Sequence, residues 1–454
     1  MRKSLVISFV LCVLASLCLR AQDSLRYHID LKDKAATTYS LKHPEQFLSA
    51  KALERRAKQH IQVDSTDLPV PQAYINAIRQ TGVKVLALSK WENFVTVSCN
   101  DTTLIDQIKA LPFVKGASKV WKAPEPPMYP DRRDTIINDL TILPDTLYGT
   151  AYGQIHVSQG DKLHEAGFKG QGMTIAVIDG GFHNFDRIAA LDNVKVLGTK
   201  DFVDPASDIF AQSTHGLSVL SCMAANKPNV MIGTAPEAAY WLFRSEDDDS
   251  EYPVEQDYWA AAVEYADSVG VDLVNTSLGY NDFDDASMNL KLRDLNGTNS
   301  VISRVAGRVA DKGMILVCSA GNSGNSAWKK ITPPADANNV LTVGAMVWQT
   351  QEIAAFSSVG HTQDGRIKPD VVAAGVRASV INAQGSQGKA NGTSFASPIM
   401  CGMVACLWQA CPTLTAKEVI ELVRQSGDRA AYPDNIYGYG IPDLWKAYQS
   451  YLNR

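Results

Sequence analysis

The chain has 454 residues, 45% of them apolar and 20% charged, with a formal net charge of −5. That apolar content excludes a disordered chain, and the length supports one large domain plus a smaller one. A net negative charge without clustered Lys and Arg excludes nucleic acid as a partner, because binding phosphates requires concentrated positive charge.

Arg2 and Lys3 precede an apolar run from Leu5 to Leu19, and Arg20-Ala21-Gln22 follows it. This is the order of a secretory signal peptide over residues 1–21, cleaved after Ala21. The run of 15 residues is shorter than the roughly 20 that a helix needs to cross a bilayer. No later stretch is long and apolar enough, so no transmembrane segment is expected. Leu17 before Cys18 argues against a lipidated cysteine. The protein is expected to be exported, and to be periplasmic, surface-associated or secreted. Loss of Arg2, Lys3 and Arg20 would leave a charge of −8. Cys99, Cys222, Cys318, Cys401, Cys406 and Cys411 then remain without zinc-ligand spacing; most lie in apolar stretches, where a thiol acts as a small hydrophobe.

Residues 22–122 read as a small α+β domain of ferredoxin-like type. Arg26 to Leu31 predicts a strand. Phe47, Leu48, Ala52 and Leu53 space one face of a helix over His43 to Gln59, and a second helix follows Pro71. Val83 to Leu88 and Asn93 to Ser98 predict two strands, Thr102 to Leu111 a helix capped by Asp101, and Val114 to Trp121 a closing strand. Residues 123–147 contain Pro124, Pro126, Pro127, Pro130 and Pro144 and have linker composition. Residues 148–454 change character. Met173 to Asp179, Tyr240 to Phe243, Val271 to Thr276, Met314 to Ser319, Val340 to Val343 and Val371 to Ala374 are apolar runs without polar alternation. Such runs suit strands covered on both faces, so the fold class is α/β with a mainly parallel sheet flanked by helices. In sheets of this kind the chemistry gathers beyond the C-terminal strand ends.

Four short segments carry chemistry. In Ala176-Val177-Ile178-Asp179-Gly180-Gly181, Asp179 ends a strand where the chain turns; its carboxylate either caps that turn or orients an imidazole. In Ser213-Thr214-His215-Gly216, His215 opens an apolar helix beside a small residue. In Ser319-Ala320-Gly321-Asn322-Ser323-Gly324, Asn322 is either a plain turn residue or an amide donor for an oxyanion. In Asn391-Gly392-Thr393-Ser394-Phe395-Ala396-Ser397-Pro398, Ser394 enters an apolar helix over Phe395 to Ala410, either as an N-cap or as a nucleophile. Each motif alone is weak. Asp, His, Asn and Ser together, each at a strand end or a helix start of one α/β domain, point to nucleophilic catalysis.

On these motifs the chain resembles the subtilisin-like serine peptidases, the subtilase family, whose catalytic order is Asp, His, Ser. The resemblance covers residue 148 onward and implies catalytic Asp179, His215 and Ser394, with Asn322 at the oxyanion. The α+β domain looks like the inhibitory propeptide of such enzymes, so the expected partners are protein or peptide substrates and the protein's own propeptide, cut away within 123–147. Arg132-Arg133 is one candidate site. Ser277, Leu278 and Gly279 look like the segment that pairs with substrate backbone, and Ala320 and Gly321 like the lining of the first specificity pocket. The segment from Ala225 to Gly233 lacks the longer loop with which many relatives bind calcium. Calcium there is doubtful, and no cofactor is required. The acidic stretch Glu246-Asp247-Asp248-Asp249-Ser250-Glu251 is expected to be solvated at a helix start, or else to favour basic side chains of the substrate.

The motifs argue against two rival functions. One is a binding protein that keeps the fold without cleaving. The other is an esterase of α/β-hydrolase type, which would place its serine in G-x-S-x-G and its histidine last.

Overall fold

The computed structural model describes residues 25–123, 133, 135–144 and 146–453. The signal segment and Arg132 lie outside the described residues, as do Pro124, Pro126, Pro127 and Pro130.

The N-terminal unit runs β1 (Leu25–Leu31), α1 (Ala50–Lys58), α2 (Gln72–Gln80), β2 (Lys84–Ser89), β3 (Phe94–Cys99), α3 (Thr103–Lys109) and β4 (Val114–Lys122). Its four strands form an antiparallel sheet in the order β2-β3-β1-β4. This is the βαββαβ order of a ferredoxin-like domain, with one extra helix. The single helix expected over His43 to Gln59 is broken: only Pro44–Gln46 forms a 3₁₀ turn before α1. The reason is Ser49, whose hydroxyl accepts from the Ala52 amide and so starts a new helix there.

In the larger unit two short helices, Tyr152–His156 and Gly160–Glu165, lead into β5 (Thr174–Asp179), β6 (Lys195–Asp201), α4 (His215–Ala224), β7 (Ala239–Arg244) and α5 (Val254–Val269). Then follow β8 (Leu273–Thr276), α6 (Val301–Arg308), β9 (Ile315–Ser319), β10 (Leu341–Met346) and β11 (Val371–Ala374). Helices α7 (Thr393–Ala410), α8 (Ala416–Gln425) and α9 (Leu444–Leu452) complete it. Seven strands form one sheet in the order β11-β10-β9-β8-β5-β7-β6, all neighbours parallel. The inner strands β5, β8, β9 and β10 are buried at every residue, as their continuous apolar sequences require. Helix α7, also almost wholly buried, packs on one face, and α5 and α6 on the other. Edge strand β6 was not expected. Lys195, Gly198 and Lys200 hide it, and Gly198 is required because a Cβ there would sit 2.2 Å from the Trp241 ring.

The two units share a core. Trp91 and Phe94 of the N-terminal unit pack with Trp259 and Val263 of α5, and Val120 and Trp121 with Tyr252, Val254 and Tyr258. The described part of the linker lies on the larger unit: Ile137 and Asn138 amides donate to the Gln384 carbonyl at 2.8 and 3.0 Å. Arg133 pairs with Asp186 at 2.9 Å and also with Asp208. Cys222, Cys318, Cys401 and Cys406 are buried thiols within the apolar cores. Among the described residues no helix is long and apolar enough to cross a membrane.

Candidate active site

Strands β5, β8 and β9 are adjacent, so the segments leaving their C-terminal ends converge. Asp179, the last residue of β5, is 3% exposed. Its Oδ1 accepts from the Gly180 amide at 2.8 Å and from His215 Nδ1 at 2.8 Å. His215 is the first residue of α4. Gly216 allows the approach, because a Cβ there would lie 2.4 Å from the Gly181 carbonyl oxygen and 2.8 Å from Asp179 Cβ. With Nδ1 donating to the carboxylate, the neutral ring carries its acceptor lone pair on Nε2. Removal from water would lower the imidazole pKa, but the charge and hydrogen bond of Asp179, helped by Asp248 and Glu246, raise it above the ordinary 6.5.

Ser394 is the second residue of α7, not its cap, and is 8% exposed. Its carbonyl would normally accept the amide of residue 398, which is proline and has none. The Ser277 hydroxyl donates to that carbonyl instead, at 2.9 Å. Asn275 Nδ2 donates to the Ser277 hydroxyl (3.2 Å) and Asn275 Oδ1 accepts from Ser397 (2.8 Å), fixing the floor beneath Ser394. The Ser394 hydroxyl donates to the Ser277 carbonyl oxygen at 3.3 Å, and no hydrogen bond joins it to His215 among the described residues. The imidazole lies against the next side chain, with ring centroids of His215 and Phe395 5.9 Å apart. The row expected from carboxylate to imidazole to hydroxyl is therefore closed at its first link and open at its second. Such contacts commonly tighten only when substrate is present.

Asn322 follows β9. Its Oδ1 accepts from the Thr393 amide at 2.9 Å and the Thr393 hydroxyl at 3.0 Å. Because an amide N–H donates to it, that atom must be oxygen, and Nδ2 is left as a donor without a partner among the described residues. Thr393, which sequence reasoning did not single out, thus orients Asn322, and its position directly before Ser394 was the available signal.

Ser277, Leu278 and Gly279 follow β8 and adjoin this site; Ala320 and Gly321 follow β9. Gly321 has φ +101° and accepts the Ser358 amide at 2.9 Å, and a Cβ on Gly279 would lie 2.2 Å from the Thr332 hydroxyl oxygen. All the residues singled out from the sequence for catalysis or substrate binding therefore lie at one end of the sheet.

Beside them opens a cavity of about 460 Å³, lined by His215, Leu278, Glu246, Asp248, Glu251 and Asp284 among others. The solvated stretch expected here is only partly so. Glu246 accepts from the Tyr280 hydroxyl at 2.6 Å, and Glu255 from the amides of Asp247 and Tyr252 at 2.7 and 3.1 Å. Burial raises the pKa of both carboxyls, each facing its acidic neighbours. Partial removal from water where it lines the cavity, and the charge of Asp284, push Glu251 up to about 7 although it remains exposed. The stretch precedes α5, which begins only at Val254, and lines the cavity with half-buried Glu246 and Asp247 and exposed Asp248, Asp249 and Glu251.

Residues 170–440 match the family model "Subtilase family", and residues 26–131 match "Peptidase S8 propeptide domain, Bacteroidota". The chain is 28% identical to Subtilisin DY of Bacillus licheniformis over 66% of this chain and 98% of that protein. It is 27% identical to Subtilisin E of Bacillus subtilis over 61% of this chain, and spans 65% of that relative's length. Serine protease AprX of Bacillus subtilis is 27% identical, over 68% of this chain and 72% of its own. MycP1 from Mycobacterium smegmatis, a crystal structure, shares the fold with a TM-score of 0.52 at 19% identity, over 70% of this chain and 92% of its own.

Proposed function

The chain belongs to the subtilase family of serine proteases and carries that family's propeptide domain, and from this premise we propose an exported endopeptidase that cleaves proteins through an acyl-enzyme on Ser394 and is made as a self-inhibited zymogen. His215 Nε2 takes the Ser394 proton as Oγ attacks the peptide carbonyl, and Asp179 stabilises the imidazolium. Asn322 Nδ2 and main-chain amides at the start of α7 receive the oxyanion. The imidazolium then protonates the leaving amine, and water deacylates the enzyme by the same relay. Every step uses groups of the chain itself, so no cofactor is proposed. The observation that carries this reading is the 2.8 Å hydrogen bond from the half-buried His215 ring to the buried Asp179 carboxylate, which fixes Nε2 as the base. A fluorophosphonate probe is the test: it should label Ser394 after the prosegment is gone, and an intact, folded chain that resists it would refute the reading.

Asn322→Ala should lower kcat by about 10²–10³ with little change in KM, because the amide matters only once the oxyanion forms; steady-state kinetics on a peptide substrate checks this. As pH falls through the His215 pKa, the ring gains a proton and can no longer accept one from Ser394. Since that pKa is raised, the acid limb of kcat/KM should have its midpoint above 6.5, and Asp248→Asn should move it down. The acidic cavity adjoining Leu278 also supports a preference for Lys or Arg in the substrate on the acyl side of the cut. Peptide-library profiling should show this preference, and the Asp248→Asn/Glu251→Gln double variant should lose it.

A further inference from the structure

Helix α5 meets the prodomain with three acidic side chains, and each is received by prodomain donors. Asp257 accepts from His28 Nδ1 and from the Thr96 hydroxyl, both at 2.8 Å. Glu264 accepts from the Ser89 hydroxyl at 2.5 Å and from the Lys90 and Trp91 amides at 2.6 and 3.1 Å. Asp267 pairs with Arg55 at 2.5 Å, Arg56 at 2.8 Å and Lys90 at 3.4 Å. Spacings of seven and three residues put the three acids on one helical face. His28 is 5% exposed and Asp257 1%. The His28 ring also lies on Phe94, with centroids 4.2 Å apart, and its Nε2 is 3.4 Å from Asp30 Oδ1 on its own strand. Lys115 and Arg304 in turn act on Asp30.

Among these cationic donors only histidine has an ordinary pKa at which charge changes between pH 5 and 8. A neutral ring would leave Asp257 buried without a compensating charge, which is strongly unfavourable. We propose that the His28–Asp257 pair is a proton-operated lock, gripping the prodomain most tightly in acid and loosening it as the surroundings become neutral to alkaline. The proposal rests on the reading of the prodomain as the protease's own inhibitor.

In the docked state burial would depress the His28 pKa, but the charge and hydrogen bond of Asp257, with those of Asp30, hold it up at about 10. In a released prodomain the ring loses Asp257 and keeps only Asp30 of its own strand, so its pKa falls back toward the ordinary 6.5. Docking thus takes up a proton between these values. The grip is complete below the lower one and is lost as pH rises toward the higher, by up to about tenfold per pH unit. Glu264, pushed up to about 7 by burial against the charge of Lys90, acts in the same direction at lower pH. Asp267, held down to about 2 despite its burial by Lys90, Arg55 and Arg56, stays ionised. Lys34 of the prodomain, lowered to about 8 by its burial, and the upper part of the Glu264 titration also fall between pH 7 and pH 9, so it is the comparison with His28→Gln that isolates His28.

The direct test is NMR titration of histidines in the full-length Ser394→Ala chain, with His28→Gln for assignment. His28 should stay protonated beyond pH 8; titration near 6.5 would overturn the proposal whether or not the chain cleaves anything. The second test is the lag before activity in the active chain. The ratio of wild-type to His28→Gln lag cancels the pH dependence of catalysis and should fall about 10- to 100-fold from pH 7 to pH 9. Asp257→Asn, which leaves the prodomain sequence intact, should reproduce the short lag, and His28→Lys should keep it long at both pH values. A ratio that does not change with pH would overturn the lock.

Discussion

Ser394→Ala is expected to lower turnover by about 10⁶, the size of effect found when the nucleophile of such a triad is removed, and to leave the prosegment attached. Loss of Oγ removes the atom that forms the acyl bond, while Asp179, His215 and the Asn322 amide keep their positions. The floor beneath Ser394 should survive as well, since Ser277 donates to the Ser394 main-chain carbonyl and not to its side chain. The variant should therefore fold and accumulate as the longer species. Mass spectrometry of both proteins checks this. The active form should begin between residues 124 and 133, because the chain from Arg133 onward is tied to the larger unit through Asp186, Asp208 and Gln384. Equal processing of the two purified proteins would exclude self-cleavage.

Asp179→Asn should cost about 10⁴ in kcat and should also move the acid limb of the pH profile downward. Both follow from one hydrogen bond. Asp179 Oδ1 receives both the Gly180 amide and His215 Nδ1, whereas Oδ2 is buried without a partner among the described residues. An asparagine that keeps its oxygen at the first position leaves an amide buried at the second, and the imidazolium loses its counter-charge. With the Asp179 contribution gone, removal from water is left as the largest influence on His215 and lowers its pKa. Kinetics from pH 5 to 9 measure both effects, and a slow variant with an unmoved acid limb would mean that Asp179 does not set the charge state of His215.

The inner strands were readable because a parallel strand covered on both faces has no polar alternation, as in Thr174–Asp179 and Ile315–Ser319. The candidate-site residues stood out because each lies near a glycine or proline with a local role: Gly216 packs against Asp179 and Gly321 against Ser358, while Pro398 leaves the Ser394 carbonyl free for Ser277. Edge strand β6 did not, since its lysines and Gly198 answer to solvent and to the Trp241 ring. The half-burial of Glu246 on the Tyr280 hydroxyl was equally hidden, because a run of acidic residues reads as solvated unless its distant partners are known.

The sequence by itself determined the division into a small α+β unit and a larger α/β unit, the order Asp, His, Asn, Ser, and the local turns that hold each residue. Local sterics and periodicity act over a few residues, and that is the range over which a pattern is visible. Only the tertiary structure decided that Thr393 orients Asn322, that the Ser394 hydroxyl rests on Ser277, and that α5 holds the prodomain through His28, Glu264 and Asp267. Those contacts join groups up to 229 residues apart, and their strength comes from burial, which no single segment determines alone.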